Sequence, residues 1–303
     1  MLLKEIEVFR TVMTCGTTSK AAKLLGVSQP AISQSLRRLE AQAGIALFLR
    51  LRGRLHATPE AQALLVEVDR CFVGLDAIEH RLRSLRQFSG GRLSVASLPA
   101  LGIGFLPRVL GSMDLLAKQR TISLQIMSSR EVRERLLSGQ CDMGLMADEV
   151  STIGLEHSFF SRLNGIIAIP AAHPLARKSI IKPTDLHGQP FIALNPEDTS
   201  RRQLQIILDK HSVTPSVLVE TPYSVSVCEM VQQGLGIGLV SPVMALDYAQ
   251  RGIVLRRFTE TITFTCILGF PVGKQLTSFT QAFLSAMRTQ LEKDMKTLDA
   301  LMA

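Results

Sequence analysis

"AAKLLGVSQPAISQSLRRLE", residues 21–40, sets a glycine, a serine and a proline between two short apolar stripes and ends on paired arginines. Ser19 offers an N-cap for a short helix through Leu25, with Ala21, Ala22 and Leu25 facing inward. Gly26 can turn the chain sharply in a left-handed conformation, and Val27 plugs the corner. Ser28 then caps a second helix, whose Pro30 sits in the first turn, where its missing N–H costs nothing. Ile32, Leu36, Leu39 and Ala43 fall on one face of that helix. The other side presents Ser28, Gln29, Pro30, Ser33, Gln34, Arg37 and Arg38. Two short helices across a glycine turn, the second with a polar and basic outer face, form the helix-turn-helix pattern. Gln29, Ser33 and Gln34 have the chemistry to read base edges, and Arg37 and Arg38 to reach bases or phosphates.

Upstream, Ile6, Phe9 and Val12 or Met13 recur at helical intervals and predict a supporting helix that ends at Cys15-Gly16. Downstream, "LFLRLRGRLHATPEA" (47–61) places Arg50, Arg52 and Arg54 around Gly53, which predicts a basic hairpin lying on the DNA backbone or in the minor groove. The charge agrees. Of the net +8 over 303 residues, +6 lies in residues 1–58, where nine Lys and Arg face three acids. A phosphate-binding surface needs such a concentration.

Residues 1–58 resemble the winged helix-turn-helix of LysR-type transcriptional regulators, in "AAKLLGVSQPAISQSLRRLE" and "LFLRLRGRLHATPEA", and the likeness continues in layout to the end of the chain. It implies an all-α winged helix-turn-helix, a long linker helix, and a C-terminal α/β effector-binding domain of two subdomains resembling periplasmic solute-binding proteins. The boundaries expected are 1–58 for the DNA-binding domain, 59–91 for the linker and hinge, and 92–303 for the effector domain. Within the last, subdomain I takes 92–163 and 268–303 and subdomain II takes 164–267, so the chain crosses between them twice. The wording of "SLPALGIGFLPRVLG" (97–111), "LNPEDTSRRQL" (194–204) and "VETPYSVSVCEMVQQGLGIGLVSP" (219–242) is similar to the branch that regulates opine catabolism.

Thr58-Pro59-Glu60 is a strong helix start. Val68, Phe72, Leu75, Ile78, Leu82 and Leu85 follow at intervals of three and four, a stripe suited to a two-helix seam between chains. A homodimer through this helix would read two half-sites with two-fold symmetry. Assembly into a homotetramer is implied by the family resemblance alone.

Beyond Gly90-Gly91, strands alternate with helices, the pattern of a parallel sheet. Strands are expected at 92–97, 122–128, 141–147, 165–170, 190–194, 216–221, 236–242, 252–258 and 264–271. Helices are expected at 104–119, 130–139, 200–211, 224–234 and 276–295. A ligand then belongs at the C-terminal strand edges. Candidate contacts are Ser97, Leu98 and Pro99; Ser128 and Ser129; Asp148; Asn195, Thr199, Ser200 and Arg201; and Thr221, Tyr223 and Ser224. Helix N-termini and hydroxyls suit a carboxylate, Arg201 adds a bidentate partner, and Asp148 balances a cationic group. A small carboxylate or amino-acid-like effector is therefore expected.

The sequence also narrows the function classes. It has no Trp and two Tyr, too few for stacking single strands. Five dispersed cysteines read as buried small hydrophobes, and neither a metal site nor a cofactor is expected. "GLGIGLVS" (234–241) lacks dinucleotide-loop spacing and runs from helix into strand. There is no GxSxG, HExxH or P-loop, so the reading is of a non-enzyme. The N-terminus lacks a secretory pattern and no apolar stretch has membrane-spanning length, which predicts a cytoplasmic, nucleoid-associated protein with no membrane partner. The expected function is a regulator binding double-stranded promoter DNA under control of a small effector. The alternative is a cytoplasmic amino-acid-derivative-binding protein or enzyme with an accessory DNA-binding module.

Overall fold

The computed structural model describes residues 3–51, 54–69, 71–72, 92–249 and 251–302. The chain divides into two compact units, one N-terminal and one C-terminal.

In the N-terminal unit, α1 (Leu3–Cys15), α2 (Thr18–Leu25) and α3 (Gln29–Ala43) are followed by an antiparallel hairpin of β1 (Phe48–Leu51) and β2 (Arg54–Ala57). A further helix, α4, runs over 59–69. Val8, Phe9 and Val12 of α1, Ala21 and Ala22 of α2, and Ile32, Leu36 and Leu39 of α3 make one core with Leu47, Ala61 and Val68. The N-cap of α2 is Thr17 rather than Ser19, its hydroxyl accepting from Lys20 N. Gly16, at φ 72°, ends α1 where the sequence placed the stop. Gly26 is left-handed at φ 64° and closes α2 as expected. Ala43, read as an inward residue, is exposed in the last turn before Gly44.

Thr58 caps α4: its Oγ1 accepts from Ala61 N while donating to the carbonyls of Ala46 and Leu47. The first two residues of the apolar stripe are spoken for. Val68 is buried in the core of its own unit and Phe72 packs on it. At this point α4 is still passing over α1, where Arg10 pairs with Asp69 and stacks over Phe72. Leu75, Ile78, Leu82 and Leu85 lie outside the described residues.

The C-terminal unit is built on two mixed sheets rather than a parallel one. The first has the order β4-β3-β5-β13-β6. Its strands β3 (Arg92–Ser97), β4 (Thr121–Ile126) and β5 (Met143–Ala147) are parallel. β13 (Thr263–Pro271) runs antiparallel to both β5 and β6 (Leu155–Asn164). The second has the order β10-β9-β11-β7-β12-β8, and the central strands β7 (Ile166–Pro170), β9 (Pro190–Leu194) and β11 (Ile237–Val240) are buried on both faces. Their alternation is strict. Ile167, Ile169, Phe191, Ala193, Ile237 and Leu239 enter one core, whereas Ile166, Ala168, Ile192, Leu194 and Val240 enter the other. Burial on both faces makes such strands read as unbroken apolar runs. β10 (Ser216–Thr221), β12 (Ile253–Phe258) and the short β8 (Ile180–Ile181) complete this sheet.

Helices α5 (Pro99–Gly102), α6 (Phe105–Gly111), α7 (Ser129–Leu137), α8 (Thr199–Lys210), α9 (Ser224–Gln232), α10 (Pro242–Leu246) and α11 (Ser278–Leu301) complete the unit, with 3-10 turns at Pro174–Arg177 and Pro183–Leu186. The helix expected over 104–119 ends at Gly111, where Ser112 closes the last turn onto the carbonyls of Arg108 and Val109. The chain passes between the sheets at Gly165, whose N–H donates to the carbonyl of Ile262 at 2.7 Å. The two crossing segments thus meet backbone to backbone. The return strand begins at Thr263, opposite Asn164, five residues before the expected boundary at 268. α11 serves both halves: Phe279, Phe283 and Met287 fill the first core and Leu298 the second.

Candidate functional site

In the N-terminal unit the core stripe of α3 fixes which side chains face outward. Gln29, Pro30, Gln34, Arg37 and Arg38 are exposed and Ser33 is half-buried. Ser28 Oγ accepts from Ala31 N at 3.4 Å, capping the helix, and Gln29 Nε2 donates to Thr18 Oγ1 at 3.3 Å, tying α3 back to α2. Arg37 and Arg38 form no ion pair with any described residue. Two cations without partners among the described residues, on the outward face of a capped helix, have the chemistry to engage phosphate or a base edge. Arg50 pairs with Leu55 and Leu51 with Arg54 across the hairpin. Its two connecting residues, Arg52 and Gly53, lie outside the described residues.

In the C-terminal unit a cavity of about 400 Å³ opens where the two sheets present their strand ends. It gathers Leu98 and Pro99 from the start of α5, Ser128 and Ser129 from the start of α7, Asn195 after β9, and Tyr223 and Ser224 from the start of α9. The other expected contacts stand off its wall. Ser97 is fully buried and donates to the Leu98 carbonyl. Thr221 is buried at the end of β10, and Asp148 is half-buried beside the cavity. Thr199, Ser200 and Arg201 are displaced by a neighbour, Asp198. Its Oδ1 accepts from Ser200 N, Ser200 Oγ and Arg201 N, so the N-terminus of α8 is already satisfied from within the chain. Arg201 turns along its own helix to Gln205.

Several lining residues escaped the sequence reading. Glu149, Glu197 and Asp198 bring three carboxylates to the wall, against a single guanidinium from Arg130. Ser161, Phe264, Thr265 and Cys266 come from the crossing strands β6 and β13, and Ser241 and Val243 from α10. The signal for Asp198 was present, since it directly precedes Thr-Ser-Arg-Arg at the N-cap position of the helix. Strand β6 gave none, because its exposed edge breaks the apolar alternation.

Electrostatics sharpen the picture. Partial desolvation raises the pKa of Glu149, whose side chain keeps an exposed face; a backbone hydrogen bond and the Ser129 hydroxyl work against the rise, while the negative charges of Asp198 and Asp148 add to it. Ser129 Oγ also accepts from Ala147 N at 3.0 Å, which leaves its proton for Glu149. α9 starts at Tyr223 with no side-chain cap, so its first N–H groups lack the partner that α7 and α8 possess.

Cys141, Cys228 and Cys266 are buried as expected, and burial pushes the thiols of Cys141 and Cys228 up to about 12. Cys71 departs from that reading and is exposed. Among the described residues no group of three metal-ligating side chains is present, and no helix is long and apolar enough to cross a membrane.

The glycines of "GLGIGLVS" are packing devices. Gly234 ends α9 at φ 79°, Gly236 lies on the Pro190 carbonyl, and Gly238 lies beneath Val227.

Residues 3–62 match the family described as "Bacterial regulatory helix-turn-helix protein, lysR family", and residues 86–292 match "LysR substrate binding domain". The chain belongs to the LysR family. As a LysR-family protein it is a DNA-binding transcriptional regulator with a substrate-binding domain for an effector. It is 38% identical to the transcriptional activator protein LysR of Escherichia coli (strain K12), over 99% of this chain and 97% of that protein. The octopine catabolism/uptake operon regulatory protein OccR of Rhizobium meliloti is 31% identical, over 86% of each. The regulatory protein NocR of Agrobacterium fabrum is 29% identical, over 94% of this chain and 96% of that one. The crystal structure of CbnR, a LysR-family transcriptional regulator, shares the fold with a TM-score of 0.68 at 23% identity, covering 96% of this chain and 99% of CbnR.

Proposed function

We propose that this LysR-family regulator binds duplex promoter DNA through α3 and the β1–β2 wing, and that an amphoteric, amino-acid-like effector bound in the C-terminal cavity controls it. Gln29, Ser33 and Gln34 read base edges, while Arg37, Arg38 and the wing residues Arg50, Arg52 and Arg54 hold phosphates. The linker stripe from Leu75 to Leu85 joins two chains, and dimers pair into a tetramer. Effector binding closes the cavity, changes how dimers pair, and so alters the spacing or bend of bound DNA. The energetic requirement is a difference in effector affinity between the two assemblies.

One observation carries the effector class. A single cavity offers three carboxylates, one unpaired guanidinium and the uncapped start of α9. A protonated amine satisfies Glu149, Glu197 and Asp198, and a carboxylate satisfies Arg130 and the N–H groups at Tyr223 and Ser224. A purely anionic ligand meets the first set badly. The name of OccR, which refers to octopine, is in keeping with such a ligand.

A thermal-shift screen of the full chain tests this, because a ligand that binds the native state raises its unfolding temperature by mass action. Amino acids and their conjugates are expected to raise it, and their descarboxy and desamino analogues to fail. A dicarboxylate that stabilises as well as any amino acid would contradict the assignment. For the DNA half, selection from random duplex should recover a preferred sequence at modest salt.

A further inference from the structure

Helix α10 is only five residues long, yet it belongs to both halves of the C-terminal unit. Val243 sits in the first core, and Met244 and Ala245 in the second. Its leading end, Ser241 and Val243, lines the effector cavity. The residue that follows its last turn, Asp247, is held from the first half: Arg108 of α6 donates to Asp247 Oδ1 through Nη1. The same guanidinium donates to Asp294 Oδ2 of α11, through Nε at 3.1 Å and Nη2 at 2.7 Å. Asp294 is 3% exposed, and its other oxygen accepts from Gln290 at 2.7 Å.

Asp247 Oδ2 is buried without a hydrogen-bond partner among the described residues. It rests against Gly104, where any Cβ would overlap the carboxylate. Burial raises the pKa of Asp247, with Arg108 pulling it down. Such a network is a poor way to add stability, since an apolar replacement of similar volume does as well, but it admits few geometries. Removing one member leaves a buried charge unpaired.

We propose that Arg108 is a positioning residue of the effector cavity: by holding Asp247 it sets α10, and with it the wall made by Ser241 and Val243, at a fixed separation from the first subdomain. The proposal rests on the cavity being the effector site and adds what holds its wall in place. An effector that presses on Ser241 and Val243 works against the Arg108–Asp247 contact at the other end of the same helix.

The protein contains its own reporters. Cys266 lines the cavity, while Cys141 and Cys228 are buried in the flanking cores. Alkylation of the full chain by N-ethylmaleimide, followed site by site by mass spectrometry, reads cavity opening separately from unfolding. Arg108→Met and Asp247→Asn are expected to speed labelling of Cys266 roughly fivefold or more, with Cys141 and Cys228 unchanged. The double variant should label no faster than the faster single one, and Arg108→Lys should restore part of the protection. Gly104→Ala reaches the same contact by crowding Asp247 with every charge in place, so it keeps the test open if Arg108→Met fails to fold. An unchanged Cys266 rate in these variants overturns the proposal, as does a parallel rise at all three cysteines. In the unaltered protein, failure of every amino acid to slow Cys266 labelling would overturn the effector class alone, because the variant rates need no ligand.

Discussion

Glu40, the last residue of the stretch that decides the fold, accepts the backbone N–H of Leu47 on Oε1 at 2.8 Å and that of Phe48 at 3.0 Å. Helix α3 therefore fixes the first strand of the hairpin through one carboxylate. Thr58 bonds the Leu47 carbonyl from the linker side, so α3, β1 and α4 converge on that fully buried leucine. Hydrogen bonds to a charged acceptor contribute about 1.5–3 kcal/mol each, and the pair shares one oxygen. Glu40→Ala is expected to destabilise the N-terminal unit by about 2 kcal/mol, with Glu40→Gln milder. Amide exchange at Leu47 and Phe48 in the full chain checks it. Protection equal to the parent's would remove the carboxylate from this role.

Arg38 on α3 and Arg52 in the wing are assigned to phosphates and Gln34 to a base edge, and these roles separate in salt titrations. Each lost phosphate contact should lower the slope of log affinity against log salt by about 0.9. Arg38→Ala and Arg52→Ala should therefore weaken preferred and random duplex alike. Gln34→Ala should leave the slope intact and relax preference at one position, at a cost of about 1–3 kcal/mol. A changed sequence preference in Arg52→Ala would move that residue from backbone to base.

Gly238 separates a packing role from a phosphate-loop role. A Cβ there would overlap Val227 and approach the Ile192 carbonyl at 3.0 Å, so α9 sits on β11 only because the side chain is missing. Gly238→Ala is expected to destabilise the C-terminal unit by about 1–3 kcal/mol, the usual cost of overpacking. The denaturation midpoint measures it. A variant as stable as the parent, with altered nucleotide binding, would reverse the reading.

The N-terminal unit was legible because its signals are local. Ser28, Pro30 and Gly26 act on their own backbone, and the stripe of Ile32, Leu36 and Leu39 needs no knowledge of distant chain. The cavity was legible only where a strand ends and a helix begins, as at Leu98, Ser128 and Tyr223. Thr265 and Cys266 lie within β13, and reach the cavity because that strand begins directly after the chain has crossed back at Ile262, which no local pattern encodes. Arg108 and Asp294 are 186 positions apart in the chain, so their pairing is invisible until α11 folds back along α6. The linker stripe begins inside the unit it leaves, since its first two members already pack on that unit's core. Val68 and Phe72 are consumed by the unit they leave.

Under the proposed function, Glu149 is expected to make effector binding depend on pH, with a definite sign. Its pKa lies above the ordinary 4.5, chiefly through partial desolvation and then through Asp198 and Asp148. A carboxyl whose folded value is raised contributes stability that is full below 4.5 and is lost as the pH climbs through the raised value. In the unliganded protein, acid therefore favours the fold at this site. An ammonium group beside Glu149 reverses the balance: it favours the carboxylate and draws the pKa back down. Between the two values, binding an amino acid must release a proton. Affinity is thus expected to fall as the pH drops through the raised pKa, and the ligand-induced thermal shift to shrink with it. Calorimetry in buffers of different ionisation enthalpy counts the proton directly. Glu149→Gln should bind less tightly at neutral pH and lose the release in that window. If the parent protein bound its amino acid with no proton exchanged there, the ammonium would have to sit on Glu197 or Asp198 instead.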